Sequence, residues 1–132
     1  TAKAKKLGSE PLARVVGYAQ TAVEPRYIFD APARVIPQLL EKIDWTLDDV
    51  DLIELNEAFA AQALACMREL NMDWEKTNVN GGGISIGHPI GCTGARITYG
   101  LAMEMNRKGY ANGLATLCIG GGMGFGITLE KK

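Results

Sequence analysis

Apolar residues recur along this chain at two spacings, one typical of helices and the other typical of buried strands. The helical spacing predicts helices in residues 34–43, 57–70 and about 94–107, and Gly8 indicates that residues 1–8 form the end of a fourth. Continuous or β-rich apolar runs predict four strands, in residues 11–23, 52–55, 113–119 and 125–130. Because strands and helices alternate over most of the chain, the order predicts an α/β fold with helices packed on a sheet.

Proline, glycine and short polar residues punctuate these elements. Pro37 lies within the apolar stripe of residues 34–43, where it either belongs to the first helical turn or kinks the helix. Residues 24–33 contain two prolines and are predicted to form a loop, whereas Thr46 and Asp49 form a weak capping box. Gly109 is suited to end the helix before it, and the last two strands are predicted to pair as an antiparallel hairpin.

The helix after the second strand has a well-populated apolar stripe, which places a polar residue at its start. The stripe consists of Phe59, Ala63, Cys66, Met67 and Leu70. Since the preceding strand ends at residue 55, Asn56 lies at a junction between a strand and a helix.

Composition indicates an ordinary globular protein of one domain, residues 1–132, or part of one. Hydrophobic residues make up 47% of the chain and charged residues 22%, and the net charge is −1. Neither a disordered tail nor a membrane protein has this balance, and no basic run is long enough to indicate nucleic acid. We find no signal peptide, transit segment or apolar stretch of spanning length, and the chain begins with Thr, as a processed product or a fragment would.

The cysteines indicate a reducing compartment. Cys66, Cys92 and Cys118 are odd in number and form no C-x-x-C motif, so neither a disulfide framework nor a zinc site is predicted. Free thiols persist in the cytoplasm, which is the expected location, or in an organelle matrix if the source is eukaryotic. No metal is expected to bind.

Three polar residues lie at the ends of buried elements and are candidates for chemistry. Asn56 follows a strand, Cys118 ends another, and His88 follows the glycine-rich run of residues 81–87. Ligand sites of open α/β sheets lie at the carboxyl ends of strands, where residues distant in sequence converge. Gly120 and the two glycines after it would let backbone N–H groups approach a ligand oxygen beside the thiol. This arrangement suggests thiolate chemistry next to an oxyanion site.

Each candidate also has a structural interpretation. A cysteine in an apolar strand is usually a core residue, an asparagine before a helix is usually a cap, and a lone histidine is usually structural or exposed. Phosphate binding by the glycine loops is disfavoured because the chain contains neither a dinucleotide fingerprint nor a G-K-[ST] motif.

Three blocks occur together in an order and at separations that resemble the thiolases, the acetyl-CoA C-acyltransferases. They are "NEAFAAQ" (56–62), "NGGGISIGHPIGCTGARI" (80–97) and "CIGGGMG" (118–124). The match extends over nearly the whole chain and corresponds to the C-terminal half of these enzymes. It implies a mixed sheet with helices packed on both faces, which pairs with a similar N-terminal half around a central helical layer.

The resemblance also implies acyl transfer between acyl-CoA thioesters, by Claisen condensation of acetyl-CoA or by thiolysis of 3-ketoacyl-CoA. By position, Cys118 resembles the acid/base cysteine and His88 resembles the histidine that activates the nucleophile. Asn56 resembles the residue that holds a water in an oxyanion hole, and the Gly120 N–H resembles part of a second one. A thiolate of lowered pKa would serve as the base that removes an α-carbon proton. No cofactor is implied, since CoA thioesters are the substrates.

Residues near the substrate show where this chain departs from its relatives. Ala58 and Phe59 resemble pocket-wall residues. Ile28 stands where many biosynthetic thiolases have a pocket methionine, and Phe29 replaces a glycine, so the preferred acyl group is left open. Cys92 stands where a small residue is common and is interpreted as having no role in catalysis.

The resemblance implies that the nucleophilic cysteine and much of the dimer interface belong to an N-terminal half beyond this chain. Cys66, within a helical stripe, is not a plausible replacement for that nucleophile. The leading hypothesis is the C-terminal part of a thiolase, active with its N-terminal half and expected to form a homo-oligomer when complete. The alternatives are an inactive truncated or split domain that binds a partner, and a ketoacyl-synthase-like enzyme, which the motifs disfavour.

Overall fold

The computed structural model describes residues 2–132 and shows a four-stranded mixed sheet at the centre of the fold. The strands are β1 (Ala13–Ala22), β2 (Leu52–Leu55), β3 (Asn112–Ile119) and β4 (Met123–Lys131). Their order across the sheet is β1-β4-β3-β2. β4 runs antiparallel to both β1 and β3, whereas β2 and β3 are parallel. The predicted terminal hairpin is confirmed, and residues 113–119 lie in a strand with neighbours on both sides.

Helices cover both faces of this sheet, as predicted. The α-helices are α1 (Ala2–Lys6), α2 (Ala31–Lys42), α3 (Ala60–Glu69), α4 (Gly83–Ile86) and α5 (Thr93–Lys108). Leu114 packs with α2 and α3 in one buried cluster, whereas Ala115, the next residue of β3, packs with α5 in the other. Because successive side chains of a strand point to opposite faces, the two clusters lie on opposite sides of the sheet.

The long helix α5 agrees closely with the sequence prediction. Ile97, Leu101 and Met105, which share one face at helical spacing, are at most 2% exposed. Gly109 ends the helix in the left-handed conformation, with φ of 78°, and its N–H donates to the carbonyl of Met105. A glycine adopts this conformation without the steric cost of a Cβ atom.

The segment of residues 24–33 was predicted to be a loop, and that prediction is wrong. It contains a 3-10 helix, Pro25–Asp30, followed directly by the first turn of α2. Pro25 and Pro32 occupy the first turns of these helices, where the missing proline N–H leaves no helical hydrogen bond unmade. Since α2 begins at Ala31, Pro37 lies in the helix interior and not in the first turn.

Some smaller features of the structure agree with the sequence predictions and others do not. Phe59 was assigned to the buried stripe of α3, but it precedes the helix and is 61% exposed. The short helix α4 within the glycine run was not predicted. The capping interaction is present, because the Asp49 carboxylate accepts hydrogen bonds from the N–H and the hydroxyl of Thr46. Of the helix predicted over residues 1–8, Thr1 lies outside the described residues.

Among residues 2–132, no helix has both the length and the apolar character that crossing a membrane would require.

Candidate active site

The parallel pairing of β2 and β3 places Asn56 and Cys118 at the same edge of the sheet. Leu55 is in register with Thr116, and the N–H of Asn56 donates to the Thr116 carbonyl at 3.0 Å. Cys118 follows two residues later on β3. The structure therefore brings together two of the predicted site residues, which are 62 positions apart in the sequence, at the carboxyl ends of adjacent strands.

Asn56 is buried, yet its amide group has no partner within the described chain. The residue is 1% exposed, and neither Oδ1 nor Nδ2 makes a hydrogen bond to any residue in the range 2–132. A buried amide with both polar atoms unpaired is destabilising, because each atom has lost its hydrogen bonds to water. Such a group is typical of a site that binds a polar ligand or water.

Cys118 is a half-buried free thiol on the same edge. Burial raises the pKa of this thiol, because the charged form loses hydration in the surroundings of the sheet. The expectation of a thiolate with lowered pKa is therefore wrong for this chain. A raised pKa favours the neutral thiol, which can donate a proton before it accepts one.

The turn after Cys118 depends on glycines for its shape and packing. Gly121 and Gly122 have φ of 86° and 91°, in the region that favours glycine. A Cβ atom on Gly124 would lie 2.7 Å from the carbonyl oxygen of Ala31, so the hairpin packs closely on the start of α2. Gly120 differs, because a Cβ atom there would meet open space. Its backbone is approachable from that side, as the predicted oxyanion role requires.

His88 lies on the exposed segment between α4 and α5. Gly87, with φ of 88°, turns the chain out of α4 immediately before the histidine. The Nδ1 atom of His88 lies 2.8 Å from the hydroxyl oxygen of Thr93, which is the first residue of α5. The other ring nitrogen, Nε2, makes no hydrogen bond to the rest of the described chain.

A carboxylate next to Asn56 holds the loop that leads to His88. Glu57 accepts hydrogen bonds from the N–H of Ile84 at 3.0 Å and from the amide of Asn78 at 3.1 Å. A Cβ atom on Gly82 would lie 2.6 Å from the Glu57 carboxyl group, and one on Gly83 would lie 2.7 Å from its backbone oxygen. The glycine run therefore serves close packing on Glu57, which couples the histidine loop to the end of β2.

Asn78 completes this connection from the edge of the sheet. Its side-chain oxygen accepts from the N–H of Leu55 at 2.9 Å, and its nitrogen donates to the Leu55 carbonyl at 2.8 Å. The side-chain amide thus pairs with both backbone groups of Leu55, as a neighbouring strand would. The backbone of Asn78 has φ of 50°, a conformation that asparagine tolerates better than most residues.

The predicted pocket residues lie on two segments that hydrogen bonds join. Phe59 and Phe29 are in edge-to-face contact, with ring centroids 5.1 Å apart. Gln62 accepts from the N–H of Ala58, and its amide and the Phe29 carbonyl both contact the thiol of Cys66. Ile28, the third predicted pocket residue, lies beside Phe29 in the same 3-10 helix.

An apolar cavity of about 400 Å³ lies beside this pair of rings. It is lined by Phe29, Phe59, Ala61, Gln62 and Ala65. Such a surface suits an apolar group and offers few polar contacts, which is compatible with the pocket-wall interpretation of Phe59. Within residues 2–132, no group of three or more His, Cys, Asp or Glu side chains is placed to hold a metal ion.

Sequence reasoning missed Glu57, Asn78, Gln62 and Thr93, all of which hold other parts of the site. Glu57 carried one signal, since it adjoins Asn56 at the same junction. Nothing in the spacing of Asn78 and Thr93 indicated a role in the site, because their hydrogen-bond partners come close to them only when the loops have folded.

The fold and the site define the class of protein to which this chain belongs. The profile of the family described as "Thiolase, C-terminal domain" matches residues 9–131. The chain therefore belongs to the thiolase family and corresponds to its C-terminal domain.

Individual relatives agree with this assignment. The acetyl-CoA acetyltransferase of Chromobacterium violaceum is 50% identical over 131 residues, and that of Syntrophomonas wolfei is 52% identical over 130 residues. The alignments cover 99% and 97% of this chain but only 33% of each relative. This chain thus spans about a third of the length of these enzymes.

Solved structures give the same result for the fold. The crystal structure of the Bacillus anthracis acetyl-CoA acetyltransferase superposes with a TM-score of 0.96 at 53% identity. Human mitochondrial 3-ketoacyl-CoA thiolase, also solved in complex with CoA, superposes with a TM-score of 0.96 at 43% identity. In each case the match covers 99% of this chain and 33% of the solved chain.

Proposed function

We propose that this chain supplies the proton-transfer and oxyanion-binding part of a thiolase, which transfers acyl groups between acyl-CoA thioesters. The nucleophilic cysteine of that reaction would come from the N-terminal half. Membership of the family supports this proposal, as does the placement of Asn56 and Cys118 at one edge of the sheet. The alternative of an inactive truncated or split domain is disfavoured, because the relatives that match this chain are acetyl-CoA acetyltransferases.

The observation that carries the proposal is the unpartnered amide of Asn56. Its two polar atoms are buried at the edge where Cys118 lies, and no described residue satisfies them. Stabilising an enolate oxygen requires a donor, or a water held by one, that is in place before the charge develops. Asn56 is positioned to hold such a water, which explains why the fold tolerates the cost of burying it.

In thiolysis, the nucleophilic thiol of the N-terminal half gives its proton to His88, and the resulting thiolate attacks the 3-keto carbon of the substrate and forms a carbon–sulfur bond. The bond between C2 and C3 then breaks, and its electron pair forms the enolate of acetyl-CoA. Cys118, a neutral thiol at rest, donates its proton to that C2 carbon. CoA next attacks the acyl-enzyme, and the Cys118 thiolate takes the proton of the CoA thiol and becomes a neutral thiol again. The bond between the acyl carbon and the nucleophilic sulfur then breaks, and that sulfur regains its proton from His88. Condensation follows the reverse order and requires Cys118 to become a thiolate first.

The remaining assignments are parts of the same proposal. Gly120 contributes its N–H to the second oxyanion hole, and Phe59, with Ala58 and Ile28, borders the acyl group. CoA thioesters are substrates, and no cofactor is required. We further propose a role in fatty acid metabolism, a homo-oligomer of complete subunits, and a cytoplasmic location or an organelle matrix. Three free cysteines within the described residues are compatible with such a reducing compartment.

A substitution at Cys118 tests the proposal in the protein with its N-terminal half present. Transfer of an acetyl group from acetyl-CoA to the nucleophile breaks no carbon–hydrogen bond, whereas condensation does. Cys118→Ser is therefore expected to retain the mass gain of one acetyl group but to lose acetoacetyl-CoA formation by at least about 100-fold. Exchange of the α-hydrogens of acetyl-CoA in D₂O should be lost in parallel.

Cys92→Ser is the matched control, because Cys92 is an exposed free thiol on the histidine loop with no proposed role. It is expected to leave acetylation, condensation and exchange near wild-type rates. Wild-type condensation by Cys118→Ser would overturn the proposed role of this thiol, and an unmodified mass in the wild-type protein would overturn acyl transfer itself.

A further inference from the structure

We propose that Thr93 is a positioning residue that holds the imidazole of His88 in the tautomer with its proton on Nδ1. The inference about the tautomer concerns the structure alone, whereas its consequence for catalysis rests on the proposed function. Thr93 is the first residue of α5 and is fully buried, in contrast to the exposed histidine that it contacts.

The direction of the hydrogen bond between His88 and Thr93 depends on which of the two groups has a hydrogen free to donate. The hydroxyl of Thr93 donates to the carbonyl of Pro89 at 3.0 Å. A hydroxyl group has one hydrogen and can accept through its lone pairs. At 2.8 Å from His88 Nδ1, the Thr93 oxygen is therefore the acceptor, and Nδ1 carries the proton that is donated.

The backbone around Pro89 keeps the Thr93 hydroxyl in this orientation. The Pro89 carbonyl also accepts from the N–H of Thr93 at 2.8 Å and from the N–H of Cys92 at 2.7 Å. These bonds form the turn that leads into α5, so the acceptor of the hydroxyl hydrogen lies at a fixed position. Since Thr93 is 0% exposed, water does not compete for its hydroxyl group.

The consequence for His88 is that Nε2 carries a lone pair in the neutral ring. A nitrogen in this state can accept a proton from a thiol, and the resulting imidazolium can donate to a thioester oxygen. The opposite tautomer would present an N–H at Nε2 and could not act as a base there. Thr93 thus provides for this histidine the tautomer control that a carboxylate or backbone carbonyl provides for many others.

Nitrogen NMR of the histidine ring tests the tautomer without any measurement of activity. The protein with its N-terminal half is labelled with ¹⁵N-histidine, and the His88 signals are those that disappear in His88→Gln. His88 is the sole histidine of the 132 residues, so this region of the protein contributes one ring. In wild-type protein, at a pH where the His88 ring is neutral, we expect Nδ1 to be protonated and Nε2 to be unprotonated. A ring protonated on Nε2 would overturn the inference.

Substitutions at Thr93 test the cause. Thr93→Val preserves the shape of the side chain but removes the acceptor, and it is expected to give a mixture of the two tautomers. Thr93→Ser retains the hydroxyl and is expected to retain the wild-type spectrum. Thr93→Val should also lower kcat/KM for acyl transfer by about 10- to 100-fold, as loss of the group that orients a metal-bound histidine does. The Ser variant should recover most of this loss.

Thr98→Val is the matched control on the same helix. The hydroxyl of Thr98 donates to the Gly94 carbonyl four residues earlier, as that of Thr93 does to Pro89, but it makes no bond to a histidine. This variant should leave the ring spectrum and kcat/KM unchanged. A wild-type tautomer in Thr93→Val, or an equal loss of kcat/KM in Thr98→Val, would overturn the positioning role. A protein with the expected tautomer but no acyl transfer would instead contradict only the proposed function.

Discussion

Glu54 gives this fold a dependence on pH that a single substitution should remove. It lies on β2 between Leu52 and Leu55, is 6% exposed, and shares the strand face of Leu52 towards α5. Burial raises the pKa of its carboxyl group to about 7, although the charge of Arg96 partly offsets this effect. Glu57 and Glu104 contribute smaller repulsions in the same direction as burial.

The sign of the effect follows from proton binding in the two states. In the unfolded chain this carboxyl group has a pKa of 4.5, so between 4.5 and about 7 the folded state retains a proton that the unfolded state has lost. The free energy of unfolding therefore falls as the pH rises through this window. The interval between the two pKa values, at about 1.4 kcal/mol per pH unit, corresponds to a loss of about 3 kcal/mol.

Glu54→Gln replaces the carboxyl group by a neutral group of similar shape, so the variant should not lose this stability. We expect urea unfolding at a series of pH values from 4.5 to just above 7 to show a widening gap, with the variant more stable by up to about 3 kcal/mol at the upper end. Glu41→Gln, at an exposed carboxylate on α2, controls for loss of a surface charge. Parallel curves for wild type and Glu54→Gln would refute the reasoning.

Two further substitutions test the core and the connection between the loops. Leu101→Ala removes a fully buried side chain of α5 and should lower the free energy of unfolding, measured by urea titration, by about 2–5 kcal/mol. A loss below about 1 kcal/mol would mean that the buried face of α5 is less tightly packed than described. Glu57→Ala removes the acceptor of the Ile84 N–H. Because His88 would then be misplaced, kcat/KM for acyl transfer should fall by about 100-fold. Glu57→Gln retains one acceptor oxygen and should show a smaller loss. Equal rates in wild type and Glu57→Ala would show that this bond does not position the loop.

The candidate site was partly predictable because its main residues adjoin recognisable elements. Asn56 follows one apolar strand and Cys118 lies at the end of another, and parallel neighbours bring their carboxyl ends to one edge of a sheet. His88 and Gly120 lie in glycine-rich segments with distinctive spacing. Their chemical roles in this chain stay predictions. Glu57 and Thr93 were not predictable in the same way, because each acts through a partner on a loop whose path depends on the rest of the fold.

The sequence by itself determined the long elements, their order and the family. Apolar periodicity is a local property, and it was sufficient for α5, for the buried strand of residues 52–55 and for the terminal hairpin. Such patterns report which face of an element is covered by others. They do not report which element covers that face. That α5 and α3 lie on opposite faces of the sheet could therefore be known only from the structure or from the family resemblance.

Only the tertiary structure decided the pKa values of the buried groups and the paths of the loops around the site. Cys118 and Glu54 have raised pKa values because the packed sheet removes water around them, and no local pattern measures that loss. Phe59 matches the helical stripe in sequence, yet it lies outside α3 and contacts Phe29 from another segment. Hydration and long-range contact exist only after the elements have packed, which is why these properties could not be obtained from the order of residues alone.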